Sequence, residues 1–521
     1  MSRTRIARST TAIALATAAS RILGFARDIL IARLFGTGLQ SQAFVVAFRL
    51  PNLLRDLVAE GAATSAIVPV LSAARSTQQS EQYWRLAQAL AVQMTAAALV
   101  LSVTGVWLAP WLVHAIAPGF ASEPEKFALT VTLTRWLFPF ITLVGLWAFF
   151  CGLLNSLGQF ALPALGPAVL NVAMIAGCVW LVPASQPPIL GLVWGVIIGG
   201  VLQLAIQVPA ARRAGFRWRW VWRHPASHEV MQLLGPRVLG AAVHQLTVFM
   251  NTILASMSVL AGEGAVAALY FANRLVQLPL ALFGVASAQA SLPSLAEQAA
   301  RGETAQFRAT ITAVLRMMAF VTIPSAVGLC VLAEPIVRVC LEAGAFDHRS
   351  TMMTARTLAA FSLGLIGFSV SKVLSGAFYA LRDTRTPVRL AFEAFIVNAL
   401  GALALIRPLQ VGGLALAASV ASILNAWRLL GCLERRLQVR LGPELAGPFL
   451  RMAAAASLMA AACWGGWRWL ERLMPAVAAL PIVVVGGILI YGLACAALRV
   501  RELATALQWI RRRPEPSSGN A

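Results

Sequence analysis

Between residues 20 and 69 the chain places charges where an apolar helix should have none. It reads S-R-I-L-G-F-A-R-D-I-L-I-A-R-L-F-G, turns at the uncharged Thr37–Gln42, and continues A-F-V-V-A-F-R-L-P-N-L-L-R-D-L-V-A-E-G-A-A-T-S-A-I-V-P. Each arm is long enough to cross a bilayer, which takes roughly 20 residues. Yet the two arms carry Arg21, Arg27, Asp28, Arg33, Arg49, Arg55, Asp56 and Glu60. A charge at mid-depth costs about 2.5–3.5 kcal/mol even on the lenient insertion scale, so such residues persist where they face a water-filled cavity or one another. Arginine outnumbers acid by five to three in this hairpin. The excess implies a cationic cavity, and the planar guanidinium fork matches the oxygens of phosphate or carboxylate.

Helix phase sharpens the reading. At about 100° per residue Arg21 and Asp28 fall within about 20° of each other, as do Arg49, Asp56 and Glu60, whereas Arg27 and Arg55 point about 120° away from those seams. Salt bridges between the two helices would account for part of this pattern, but the acids are too few to pair every guanidinium. Later in the chain, F-A-N-R-L-V-Q-L-P places Arg274 within a second apolar stretch. Lys372 lies mid-helix in G-F-S-V-S-K-V-L-S-G; of 42 basic residues only it and Lys126 are lysine. It serves either as a point charge in the cavity or as a side chain snorkelling to the interface. Glu393 with Asn398 is a weaker cation-site candidate beside a structural role. The five histidines are scattered, and no phosphate-binding loop, nucleophile triad or metal-ligand spacing occurs. Enzymatic catalysis and ATP-driven transport are both unsupported, and no cofactor is expected. Coupling to membrane potential or a monovalent cation is left open.

The elements that must position these groups are membrane helices. Of the 521 residues 59% are hydrophobic and 12% charged, with mean hydropathy +0.76; a soluble chain carries about twice that charge. Apolar runs fall at about 10–35, 42–72, 86–117, 128–156, 161–182, 188–210, 232–260, 265–296, 308–340, 352–381, 386–407, 412–433, 448–470 and 475–498. The expected fold is therefore an all-α polytopic membrane protein of about 14 transmembrane helices. The N-terminal Arg3, Arg5 and Arg8 with the following small residues imitate a signal peptide, but the apolar run continues through Phe35 and reads as a retained first helix. The seven cysteines, without C-x-x-C spacing, read as small buried hydrophobes.

The net charge of +22 is dispersed in short bursts between apolar runs, not gathered on one face, so no nucleic-acid partner is expected. Arg75 and Arg85, Arg212–Arg223, Arg301 and Arg308, Arg382–Arg389, and Arg435–Arg440 all follow even-numbered helices, whereas Gly36–Gln42 and Pro183–Pro188 carry no basic residue. The positive-inside rule then places both termini in the cytoplasm.

An internal repeat runs through the pattern. Pro69 matches Pro293, Pro110 matches Pro335, Pro163 matches Pro387, and Gly191 matches Gly413, each pair 222 to 225 residues apart. This predicts two six-helix lobes in the same orientation. The expected divisions are residues 1–211, an inter-lobe linker at 212–231 containing R-W-R-W-V-W-R, a second lobe at 232–440, an extra helix pair at 441–500, and a cytoplasmic tail at 501–521. In the linker, indoles and guanidinium groups suit the headgroup region, and a plain inter-lobe tether is the favoured reading.

The segments S-R-I-L-G-F-A-R-D, A-F-R-L-P-N-L-L-R-D-L-V-A-E-G-A, I-A-P-G-F, P-S-A-V-G-L and F-Y-A-L-R-D-T-R-T-P-V resemble the bacterial MurJ (MviN) family of lipid II flippases, in order from about residue 10 to 440. That family belongs to the multidrug/oligosaccharidyl-lipid/polysaccharide exporter superfamily. The resemblance implies a multi-pass protein of the bacterial cytoplasmic membrane that moves lipid II, an undecaprenyl-diphosphate-linked disaccharide-pentapeptide, to the outer leaflet for peptidoglycan synthesis. It implies that Arg21, Arg27, Asp28, Arg55, Glu60, Arg274 and Lys372 are substrate-binding cavity positions, and that the extra helix pair forms a groove for the polyprenyl tail. Membrane lipids, and cell-wall synthesis or division proteins, would be its other partners. The chain departs from the family in having amides at Gln42, Asn273 and Gln277, where relatives usually have acids. Other readings remain: a flippase for a different polyprenyl-diphosphate-linked oligosaccharide, a cation-coupled exporter, or a transport-inactive cell-wall scaffold.

Overall fold

A computed structural model describes residues 3–57, 63–77, 80–281 and 286–511. Among them the chain is helical throughout, without strands. The first eleven α-helices are α1 (Arg3–Phe35), α2 (Leu39–Leu57), α3 (Ala63–Thr77), α4 (Ser80–Ile116), α5 (Pro124–Leu137), α6 (Phe140–Ser156), α7 (Ala161–Ala176), α8 (Ile189–Arg213), α9 (Ser227–Ser256), α10 (Ser258–Ala261) and α11 (Ala265–Pro279). The rest are α12 (Ala286–Ala300), α13 (Thr304–Val331), α14 (Ala333–Leu341), α15 (His348–Leu363), α16 (Leu365–Ala380), α17 (Arg385–Leu409), α18 (Val411–Leu437), α19 (Gly442–Leu470), α20 (Ala476–Ala497) and α21 (Arg501–Arg511).

Each of the fourteen apolar runs falls on one or more of these helices. Nine helical stretches among the described residues are long and apolar enough to cross a membrane, or ten if α15 and α16, bent by 43° at their junction, form one span. Neither α1 nor α2 is among them. Length and composition alone therefore do not return fourteen, because the arms that carry the embedded arginines are by that fact less apolar. Within the expected tail, residues 501–511 form α21.

By packing, the chain divides into two units, one of Met1–Ala267 with Ala343–Asp347, the other of Ala268–Glu342 with His348–Ala521. In the first, α1 lies along α7, α2 along α5, and α3 along α6, while α7 and α8 pair closely. The Arg/Trp segment after α8 is not a loose tether. Gln88 donates to the Arg217 carbonyl at 2.9 Å and Gln93 to the Trp222 carbonyl at 2.8 Å, and Phe216 is buried against Phe149 and Phe150. The backbone of Ala345 donates to Arg33 O at 2.8 Å, which fastens the short 343–347 segment to the end of α1.

In the second unit α17 and α18 form an antiparallel pair, with α15 and α16 on α18. The extra pair α19 and α20 packs on α13 through Met452, Ala456, Met459, Cys463, Val483 and Tyr491 against Phe320 and Ile323. Lipid tails are as apolar as leucine, so close backbone approach rather than the hydrophobic effect holds such helices together. The repeat-related glycines do this in both units. A Cβ on Gly191 would lie 2.3 Å from Val182 N, and one on Gly413 2.3 Å from Leu405 O. Each glycine lets its helix cross the preceding one.

Candidate functional site

Arg27 and Asp28 are the most enclosed of the expected site residues that the structure describes, at 6% and 4% exposure. Arg27 donates from Nε (3.0 Å) and Nη2 (2.7 Å) to Asp28 Oδ1, and from Nη1 to Asn171 Oδ1 at 2.8 Å. Its Nη1 also approaches Met174 Sδ at 3.7 Å. Asn171, on α7, in turn donates to Ser20 O on α1 at 2.9 Å. The cluster therefore bolts α1 to α7 through one amide that accepts from the arginine and donates to the backbone. Gly24 makes room for it: a Cβ there would sit 3.2 Å from Asn171 Nδ2.

This overturns the phase argument for Arg27. Neighbouring residues on a helix diverge by about 100°, which separates Arg27 from Asp28 at the backbone. The long side chain folds back and brings the guanidinium onto the adjacent carboxylate. Burial of both groups makes the pair interdependent, since removing one partner from a buried pair costs about 3–5 kcal/mol. Asn171 was not legible as a site residue. The only sequence signal for it was a lone polar residue in the apolar A-L-P-A-L-G-P-A-V-L-N-V.

The other positions are more open. Arg21 is half-buried and makes no hydrogen bond or ion pair among the described residues. Arg55, near the end of α2, is half-buried. Glu60 lies outside the described residues, and nothing is described of the Asp56 side chain, so the expected Arg49–Asp56–Glu60 seam falls largely outside the structure. Arg49 itself donates to α9, to Val248 O at 3.1 Å and to the Thr252 hydroxyl. Gln42 is buried on α2.

In the second unit Arg274 is half-buried on α11, its guanidinium carbon 5.0 Å from the centre of the Tyr270 ring and its Nη1 3.3 Å from Gln277 Oε1. Lys372 is exposed on α16. Glu393 sits between Arg428 (2.9 Å) and Arg389 (3.8 Å), so its carboxylate is held by arginine and does not form a cation site with Asn398. Thus Arg21, Arg27 and Asp28 share one helix, with Arg27 and Asp28 in contact, whereas Arg274 and Lys372 lie on separate helices of the other unit.

Nine helical stretches of spanning length among the described residues, with an Arg27–Asp28 pair buried inside the 33-residue α1, fit a multi-pass membrane transporter. The family model described as lipid II flippase MurJ matches residues 31–484, and the chain belongs to the MurJ family. It is 36% identical over 447 residues to the lipid II flippase MurJ of Burkholderia cenocepacia, covering 85% of this chain and 86% of that one. It is 31% identical over 513 residues to the probable lipid II flippase MurJ of Haemophilus influenzae, covering 93% and 98%. A solved structure of lipid II flippase MurJ in an inward closed conformation superposes with TM-score 0.80 at 25% identity, over 94% of this chain and 99% of that one. An inward-facing multidrug resistance MATE family transporter of the MOP superfamily shares the fold, with TM-score 0.66 at 16% identity over 80% of this chain and 94% of that one. Members of the MurJ family are transporters rather than enzymes.

Proposed function

We propose that this protein translocates lipid II across the bacterial cytoplasmic membrane, from the inner to the outer leaflet, by alternating access of its two repeated lobes, with both termini in the cytoplasm. The observation that carries the reading is Arg27, a guanidinium placed inside a helix of spanning length and fixed by Asp28 and Asn171, in a chain of the MurJ family. A diphosphate with a long apolar tail needs fixed positive charge within the membrane. Arg21, Arg55 and Arg274, less enclosed than Arg27, supply forks for its oxygens, with Lys372 as a point charge. Asp28 and Glu60 balance the cavity when it is empty. The chain has no nucleotide-binding loop, so this reading draws its drive from membrane potential or a monovalent cation gradient.

The test is growth of cells depleted of their own lipid II flippase and supplied with this gene. Rescue by the native chain is expected, with weakened rescue by Ala variants of Arg21, Arg55 and Arg274 at normal expression. Full rescue by all three variants would remove the substrate assignment; absence of rescue by the native chain would remove the flippase reading itself.

A further inference from the structure

A second concentration of guanidinium groups lies far along the chain from the arginines of the proposed transport site. At one end of the second unit, where α13, α19, α20 and α21 meet, a cavity of about 220 Å³ is lined by Arg316, Arg451, Arg499, Arg501, Glu444 and Glu502. Both carboxylates are already engaged. Glu502 Oε1 lies 2.7 Å from Arg316 Nε, and Glu444 Oε1 accepts from Arg308 Nη2. The side chains of Arg451, Arg499 and Arg501 make no hydrogen bond or ion pair among the described residues. All three residues are exposed, so their positive charges line the space where it meets solvent, and like charges there repel.

The walls of the cavity are built rather than loose. Val500 is buried and Leu503 and Ala506 pack into the cluster formed by Met452, Tyr491 and Cys495, which seats α21 on the bundle. Tyr491 Oη donates to Phe320 O at 2.9 Å beneath it. Glu502, at 8% exposure, ties the start of α21 to α13 through Arg316. These contacts fix the helices from which the three exposed arginines extend.

The occupant follows from charge, size and depth. Three planar forks call for an anion with at least three oxygens spread in space, which a phosphate group provides and a single carboxylate does not. The volume is below the roughly 300–1,000 Å³ of pockets that enclose a drug-sized molecule, so it suits a head group rather than a whole ligand. Helices α19 and α20 are both apolar enough to cross a membrane, and the cavity lies at the ends of both, where phospholipid phosphates concentrate. We propose that this cavity binds a phosphate group, presented by an anionic phospholipid or as free phosphate, and that its occupation locks α21 onto α13 and α19.

The experiment uses the full-length protein, delipidated in neutral detergent and read by native mass spectrometry. Phosphatidylglycerol is titrated against the wild type, the triple variant Arg451→Gln/Arg499→Gln/Arg501→Gln, the corresponding triple Lys variant, and Arg407→Gln as a control outside the cavity. The expected result is a loss of at least tenfold in retained lipid for the Gln triple, a smaller loss for the Lys triple, and none for Arg407→Gln. Equal thermal transitions across the variants exclude misfolding, and if the Gln triple unfolds, the Lys triple carries the comparison. A parallel titration with inorganic phosphate separates the sources. Phosphate that binds wild type and not the Gln triple, while phosphatidylglycerol binds neither, assigns the site to the free ion. Equal binding of both probes by wild type and Gln triple overturns the proposal.

Discussion

Arg27 in the first unit and Arg274 in the second are each an arginine within an apolar helix, and their surroundings differ. Arg27 is enclosed, with a carboxylate, an amide and a thioether around its guanidinium. Arg274 is half-buried, lies over an aromatic ring and touches a neutral amide. A guanidinium bound to a buried carboxylate is committed first to the protein, and its substitution damages the fold as well as transport. A half-buried guanidinium such as that of Arg274 is more accessible to an incoming anion than the enclosed one of Arg27. The same residue type, in a similar sequence setting, is a rivet in one unit and a hand in the other.

The largest effect expected from this contrast is at Arg27. Arg27→Ala leaves Asp28 buried without its main partner, and the loss of stability should reach about 3–5 kcal/mol, with transport lost alongside. The double variant Arg27→Ala/Asp28→Ala should recover much of the stability and none of the transport. Thermal unfolding in detergent beside flippase complementation separates the two, and a single variant as stable as wild type would break the contrast.

Arg274→Ala should do the reverse. Losing a charge-assisted contact to phosphate, worth about 1.5–3 kcal/mol, lowers transport roughly 10- to 100-fold with little change in unfolding temperature. Arg274→Lys should restore part of it, since a point charge lacks the fork. Measured translocation in reconstituted vesicles decides the matter, and a strongly destabilised Arg274→Ala would place both arginines in one category.

Smaller effects sharpen the comparison. Asn171→Ala removes one acceptor from Arg27 and the α7 bond to Ser20, and should cost about 1–2 kcal/mol of stability, with transport reduced only in proportion. Gln277→Glu would place a carboxylate where a neutral amide now touches Arg274. The guanidinium should then be partly occupied, and a several-fold weaker response to lipid II concentration is expected; an unchanged concentration dependence would show that the neighbour is immaterial.

The smallest effect lies outside the bilayer-length helices and serves as a reference for both arginines. Asp383, in the turn before α17, accepts from the backbone N–H groups of Thr386 and Arg385, from the Thr386 hydroxyl, and from Arg436. The Thr386 N–H is the main cause that holds its carboxyl below the ordinary value of 3.8. A lowered folded value means the stabilisation is complete above the ordinary carboxylate range and fades as pH falls through the folded value. Asp383→Asn should therefore cost about 1 kcal/mol at neutral pH, and the gap to wild type should close only in strong acid. A gap that widened on acidification would reverse the sign of the linkage.

Much of this protein is determined by the order of its residues. Runs of apolar residues at bilayer length dictate helices, because only internally bonded backbone survives without water. Arg21, Arg27, Asp28 and Arg274 stood out from sequence alone because a charge within such a run is costly enough to demand a reason. Gly191 and Gly413 announced the repeat by their spacing, and their close backbone approaches explain why glycine stands at both. Sequence did not determine what each charge touches. Arg27 meets Asn171 across 144 residues of chain, and Arg49 meets Val248 across 199. Helix phase describes the direction of a Cβ, whereas a guanidinium reaches several ångströms beyond it and turns toward whichever acceptor a distant helix presents. Likewise, Arg451, Arg499 and Arg501 read singly as ordinary charges at helix ends. Only the convergence of α13, α19, α20 and α21 places them around one cavity, because the distances among side chains on different helices are set by how those helices pack and not by their separation along the chain.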